Sequence, residues 1–154
     1  MQRLIAVLIF SAAVFSACNN NVIEDNTMSK IIEENGIALK GFDAVSYFEG
    51  SPKKGSTEFS HQYSGLEWHF SNRDHLTKFS ENPQHYLPQY GGHCAFAMSL
   101  GETSPGNPQS WHIEDGKLYF NGNGFAKLLF KIIPGRQAKA DSNWKTTESK
   151  LSSG

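Results

Sequence analysis

Twice in this chain two alternating segments meet at a two-residue turn, and nothing else in the sequence restricts the fold as much. Phe59-Ser60-His61-Gln62-Tyr63 and Leu66-Glu67-Trp68-His69-Phe70 flank Ser64-Gly65, while Trp111–Glu114 and Lys117–Phe120 flank Asp115-Gly116. Both are hairpin signals, and Asp-Gly is a strong one for a type I′ turn. Turn length then sets register. Tyr63 pairs with Leu66, which puts His61 opposite Trp68 and Ser60 opposite His69. Side chains alternate across a strand, so Phe59, His61, Tyr63, Leu66, Trp68 and Phe70 share one face and Ser60, Gln62, Glu67 and His69 the other. His61 and His69 therefore point to opposite sides and cannot chelate one ion together. In the second hairpin Trp111, Ile113, Leu118 and Phe120 share the core face, His112 lies opposite Tyr119 on the other, and Glu114 faces Lys117. The pattern predicts Trp68, Phe70, Trp111, Ile113, Leu118 and Phe120 buried, with Glu67, His69, Glu114 and Lys117 exposed.

Around the hairpins, Gly41–Phe48 reads as a first strand. Ser71-Asn72-Arg73-Asp74 looks like a helix start, with Ser71 as cap and Asp74 in the first turn. That helix carries Leu76 and Phe79 inward and stops before Pro83. His93–Leu100 reads as a short helix closed by Gly101. Ala126–Ile132 and Arg136–Asn143 read as helices interrupted by Pro134-Gly135. Two β-hairpins in a small antiparallel sheet, packed with several short helices, make an α+β domain. A chain of 154 residues holds one such core and not two.

The first segment reads as an address. Arg3 is followed by an almost unbroken apolar run, Leu4 to Ala17, too short to span a bilayer but suited to a secretory signal. It ends Phe15-Ser16-Ala17-Cys18, which resembles the bacterial lipobox, at which the cysteine is acylated and becomes the new N-terminus. An acylated Cys18 leaves Cys94 as the one free thiol and excludes an intrachain disulfide. The expected division is a signal peptide over 1–17, a lipidated N-terminus and linker over 18–36 with a helical turn near Lys30–Glu34, the domain over 37–145, and a disordered tail over 146–154. Net charge is −1 with no basic cluster, which argues against a nucleic-acid partner.

Asp43-Ala44-Val45-Ser46-Tyr47-Phe48, the strand end Trp68-His69-Phe70-Ser71, and Asn82-Pro83-Gln84-His85-Tyr86 together resemble a YHS domain. Three longer stretches are similar to secreted bacterial YHS-domain proteins, which often carry a lipoprotein leader. They are Pro88-Gln89-Tyr90-Gly91-Gly92-His93-Cys94-Ala95-Phe96-Ala97, then Asp115–Asn121, then Ile133-Pro134-Gly135 with Lys139–Trp144. The resemblance covers about Leu39 to Lys145. Short YHS domains accompany copper-pumping ATPases and other metal-handling proteins, and are thought to bind metal through cysteines. This chain has Ser46 and Ser71 where the first two would fall, and Asp74 at the place of a later one. Serine is a poor ligand for soft metals, so that thiolate site does not carry over.

Two groups of residues remain as candidate sites. Cys94 follows Gly91-Gly92 at a helix start, where a thiol is activated. Met98 shares its helical face, and His93 or His61 can approach from the flank. Cys, Met and His suit copper(I) or another soft metal, although the resembling proteins commonly carry an aromatic residue in place of His93. The alternative is that Cys94 and Met98 are core fillers. The second group is aromatic: Tyr90, Gly91 and Gly92, with Tyr47, as the lining of a small-ligand pocket, against the alternative of an aromatic core with hydrogen-bonded tips. The expected function is a non-enzymatic YHS-type module that binds a small ligand or metal. Its membrane-lipid anchor at Cys18 places it on the periplasmic face of a bacterial membrane, the outer one favoured because Asn19 is not the Asp of a retention signal. Two rivals stand beside it: a thiol-dependent enzyme or redox protein using Cys94, and a structural envelope domain that binds other proteins.

Overall fold

The computed structural model describes residues 31–152; the leader, Cys18 and most of the expected linker lie outside the described residues. The described chain begins with Ile31 and Ile32, both buried. A tight turn follows, β1 (Glu33–Glu34) against β2 (Ile37–Ala38). The end of the expected linker is thus a strand built into the domain, in place of the helical turn read near Lys30–Glu34. The Ile32 amide donates to the Gly91 carbonyl at 2.8 Å and the Leu39 amide to the Ile32 carbonyl at 2.9 Å.

The next segment departs from expectation. Residues read as a first strand form a helix, α1 (Ala44–Phe48). Val45, Tyr47 and Phe48 have strand-like composition, but Asp43 decides the outcome. Its Oδ1 accepts from the amides of Val45 at 2.9 Å and Ser46 at 3.3 Å, satisfying two donors that a helix start leaves open. The Ser46 hydroxyl donates back to the Asp43 carbonyl at 2.6 Å.

The first hairpin, β3 (Ser56–Tyr63) with β4 (Leu66–Phe70), has the expected register, with Ser60 opposite His69, His61 opposite Trp68 and Tyr63 opposite Leu66. Trp68 and Phe70 are buried as expected. His69 is also buried, only 7% exposed, which corrects its reading as a solvated residue. The alternation was right, but both faces of β4 are covered. β2 pairs parallel to β4, and loop backbone closes over the outer face. A Cβ on Gly55 would stand 2.3 Å from the His69 carbonyl carbon, so the chain passes there only as glycine. His69 Nε2 meets Glu67 Oε1 at 2.7 Å, and Glu67 is half-buried rather than exposed.

α2 (Arg73–Glu81) starts one residue later than expected. Asn72 is the cap, its Oδ1 accepting from the His75 amide at 2.9 Å, while Ser71 turns back toward Asp43. Phe79 points inward as expected; His75 is buried beside it and Leu76 only half so. After the short α3 (Pro83–Tyr86), a 3-10 turn over Gln89–Gly92 leads to α4 (Ala95–Ser99).

The second hairpin, β5 (Asn107–Glu114) with β6 (Lys117–Asn121), also keeps its register. Leu118 and Phe120 are buried, Trp111 and Ile113 half-buried against the same core, and Glu114 and Lys117 exposed. The hairpins lie in separate sheets, one of four strands in the order β1-β2-β4-β3 and one of two. Helices α5 (Gly124–Ile132) and α6 (Arg136–Ser152) complete an α+β fold. Expected to end at Asn143 and fray, α6 instead runs to Ser152. Ala140 is fully buried, the Asn143 side-chain Nδ2 donates to the Met98 carbonyl at 2.9 Å, and beyond Asn143 the Trp144 ring packs on Tyr90 and the Thr147 hydroxyl reaches the Met98 sulfur at 3.9 Å. These contacts hold the helix down where its apolar content would not.

Two apolar clusters result. One gathers Tyr47, Trp68, Phe70, Phe79, Leu118 and Phe120; the other holds Tyr90, Ala95, Met98, Tyr119, Phe130 and Ala140. β6 belongs to both, because alternate side chains leave its two faces.

Candidate functional site

Cys94 is the N-cap of α4, in extended backbone at φ −61 and ψ 113. Its Sγ accepts from the Gly122 amide at 3.1 Å and the Ala97 amide at 3.5 Å, and the residue is 4% exposed. The thiol thus serves as a hydrogen-bond acceptor joining α4 to the end of β6. Met98 is fully buried, with the Thr147 hydroxyl 3.9 Å from its sulfur. His93 directs Nδ1 to the Tyr90 carbonyl at 2.9 Å and lays its ring near Trp144. His61 lies elsewhere, half-buried on β3 against Phe79 and the Ser80 hydroxyl. The structure therefore places Cys94, Met98 and His93 on or beside α4 and does not bring His61 to them. Among the described residues, no group of three or more His, Cys, Asp or Glu side chains could hold a metal ion.

The aromatic candidates separate in the same way. Tyr90 and Gly91 line an open cleft of about 540 Å³, with Leu87 and Pro88 on one side and Asp141, Trp144 and Lys145 of α6 on the other. Tyr90 takes a left-handed backbone, φ 56 and ψ 33, followed by Gly91 at φ 60 and Gly92 at φ 82. For tyrosine that conformation costs on the order of 1 kcal/mol or more. It persists because the side chain is fastened at both ends. The ring packs on Tyr119 and Trp144, at centroid distances of 5.9 Å and 6.2 Å, and the hydroxyl donates to Asp141 at 2.7 Å. Burial, reinforced by Asp141, holds the phenol far above its ordinary range. Gly92 does not line the cleft; a Cβ there would meet Ile32 at 2.8 Å. Tyr47 is not at the cleft. It is fully buried in the other cluster, edge-on to Trp111 and Phe120, and its hydroxyl donates to the Pro108 carbonyl at 3.0 Å.

A third constellation was not joined by sequence reasoning. Fully buried Asp43 turns Oδ2 to the Ser71 amide at 2.9 Å, the Ser71 hydroxyl at 2.7 Å and His75 Nδ1 at 2.6 Å. His75 Nε2 meets Glu49 at 3.0 Å, and Lys78 joins Glu49 at 3.3 Å to Asp74 at 2.8 Å. In outline Ser71, His75 and Glu49 form a serine–histidine–carboxylate chain, with the hydroxyl 3.3 Å from Nδ1. Asp43 takes both the hydroxyl and the ring nitrogen at shorter distance, and neither the cleft beside Tyr90 nor the smaller cavity beside His93 is lined by these residues. A nucleophile needs a free base and access, so this cluster knots α1 to α2. The signal that could have found it was the pair Ser46 and Ser71, each noted separately as standing where the short domains that the chain resembles carry cysteines.

On the face of the second hairpin that carries Tyr119 into the second cluster, His112 is buried, stacked on Tyr119 at 5.1 Å and 14°. Neither of its ring nitrogens has a hydrogen-bond partner among the described residues, and a Glu114 carboxylate oxygen lies 3.6 Å from Nε2. Burial, with Lys131 and Lys127 nearby, pulls its pKa down to about 4. No helix among the described residues is long and apolar enough to cross a membrane. Neither a family model, nor a curated protein, nor a solved structure matches the chain.

Proposed function

We propose that this chain is a membrane-anchored periplasmic module of the YHS type, tethered through an acylated Cys18 with the outer membrane favoured, and that it binds a small ligand without turning it over. The observation that carries the reading is the cleft beside Tyr90. Its volume falls in the range of small-molecule sites, and it sets Leu87, Tyr90 and Trp144 against a polar half made by Gln84, Gln89, Asp141, Lys145 and Glu148, a lining suited to a polar small ligand. Its wall also contains a non-glycine residue held in a strained conformation, which is where binding surfaces concentrate such strain. The YHS reading gains support from Ser46 and Ser71. Both hydroxyls hydrogen-bond to Asp43, so two positions at which the short domains carry cysteines converge on one residue.

The soft-metal form of the proposal rests on Cys94, His93 and Met98, with His61 on another element. The small-ligand form is favoured because Cys94 already accepts two backbone hydrogen bonds and His93 Nδ1 is occupied by the Tyr90 carbonyl. Native mass spectrometry and elemental analysis of protein purified without tags or chelators test both forms. A small-molecule adduct that survives in Cys94→Ser and disappears in Trp144→Ala is the expected result. A stoichiometric metal lost in Cys94→Ser would move the function from the cleft to the thiol.

A further inference from the structure

Helix α5 presents an apolar face to the outside of the molecule. Phe130 points inward and is buried, while Phe125, Leu128 and Ile132 are 69%, 52% and 60% exposed. At about 100° per residue these three and half-buried Leu129 fall within an arc of roughly 100°, nearly opposite Phe130. A helix apolar on both sides is one that expects cover on both, and bulky side chains gathered on a surface mark a contact site.

Charge and size choose the occupant. Against the expectation of no basic cluster, the chain between Gly122 and Ala140 carries Lys127, Lys131, Arg136 and Lys139 and no acidic residue, a local excess of cations that the net charge of −1 conceals. Lys131 is exposed beside the apolar stripe, and Lys127 is half-buried on the same flank, its ammonium 3.4 Å from the Trp111 carbonyl. A nine-residue helix is about 13 Å long. One face of it covers a small fraction of the roughly 800 Å² per partner that a stable protein interface buries. Interfacial helices have no such threshold, since they need only an apolar face sunk among acyl chains with cations at headgroup level.

We infer that α5 docks on an anionic phospholipid bilayer, with Phe125, Leu128 and Ile132 entering the acyl boundary and Lys131 meeting the phosphates. The inference stands apart from the cleft and shares with the proposed function only its membrane setting. The test uses the full chain carrying Phe125→Trp, mixed with phosphatidylglycerol-containing vesicles, with the parent chain subtracted for its own tryptophans. Emission from position 125 is expected to shift blue and to be quenched by lipids brominated on their acyl chains. Both effects are expected to be largely lost with phosphatidylcholine alone and in Lys127→Glu/Lys131→Glu. Position 125 remaining as open to iodide with vesicles as without them overturns the inference. So does a blue shift that needs no lipid and grows with protein concentration, which would assign the face to a second copy. Mass spectrometry of the N-terminus separates the two claims. Quenching without acylation at Cys18 removes the anchor and leaves the inference, while acylation without quenching does the reverse.

Discussion

One oxygen of Asp43 caps α1 and the other gathers the Ser71 amide, the Ser71 hydroxyl and the His75 ring from the start of α2. Removing it leaves several buried donors without an acceptor, each a desolvation cost. Asp43→Ala should therefore lose about 3–5 kcal/mol in urea unfolding, the scale of a broken buried polar pair. Asp43→Asn should lose less, since its amide oxygen can still cap α1. A loss within the scatter of surface substitutions would show the knot to be ornamental. His112 makes the opposite case, a buried ring whose nitrogens have no hydrogen-bond partner among the described residues. Its pKa falls from an ordinary 6.5 to about 4, so between those values the unfolded chain binds the proton and the folded one does not. Stability from this group is complete above about pH 6.5, declines as pH falls, and is lost to roughly 3 kcal/mol by pH 4. His112→Phe keeps the stack on Tyr119 and removes the proton site. Unfolding measured at pH 7 and pH 4.5 should show that variant losing much less on acidification than the parent.

At the scale of elements, local chemistry and coverage by neighbours compete, and each wins in a recognisable place. Both hairpin registers were legible because turn length and the pleat are local properties. The α1 segment has the aromatic content of a strand and was expected as one, but the Asp43 cap, not considered in that expectation, makes it a helix. His69 is buried where exposure was expected, because alternation names two faces but not what lies over them. Gly55 shows the cover most directly, with no room for a Cβ against the His69 carbonyl. Gly55→Ala should cost about 2 kcal/mol or more, as overpacking against backbone does, and a melting temperature within a degree of the parent would contradict that close approach. The end of α6 supplies a second test. Truncation after Asn143 removes Trp144 from the cleft and Thr147 from Met98, so it should lower the melting temperature and abolish ligand retention together. A frayed tail would do neither.

Across the whole molecule, β6 is the shared wall of two apolar clusters, sending Leu118 and Phe120 into one and Tyr119 into the other. Phe120→Ala should cost about 3–5 kcal/mol by leaving a cavity. Because the wall is shared, amide exchange should show protection falling in both clusters, around Phe79 and around Met98 alike. Loss confined to the first would mean that the clusters unfold separately. What the amino-acid order determined by itself is whatever depends on near neighbours. It determined strand pairing through two short turns, the α2 stop before Pro83, and the break between α5 and α6 at Pro134-Gly135. The candidate cleft was half legible, in Tyr90 and Gly91, because the Gly-Gly turn announces unusual backbone. Its other wall, with Asp141 and Trp144, comes from a helix 51 residues beyond Tyr90, and no local pattern links the two. Tertiary structure alone decided which faces are covered, that Cys94 is an acceptor between α4 and β6, that Ser71 meets His75 at Asp43, and that α5 keeps an apolar face outside. Burial and hydrogen-bond pairing are settled by segments distant in the chain, which local periodicity does not encode.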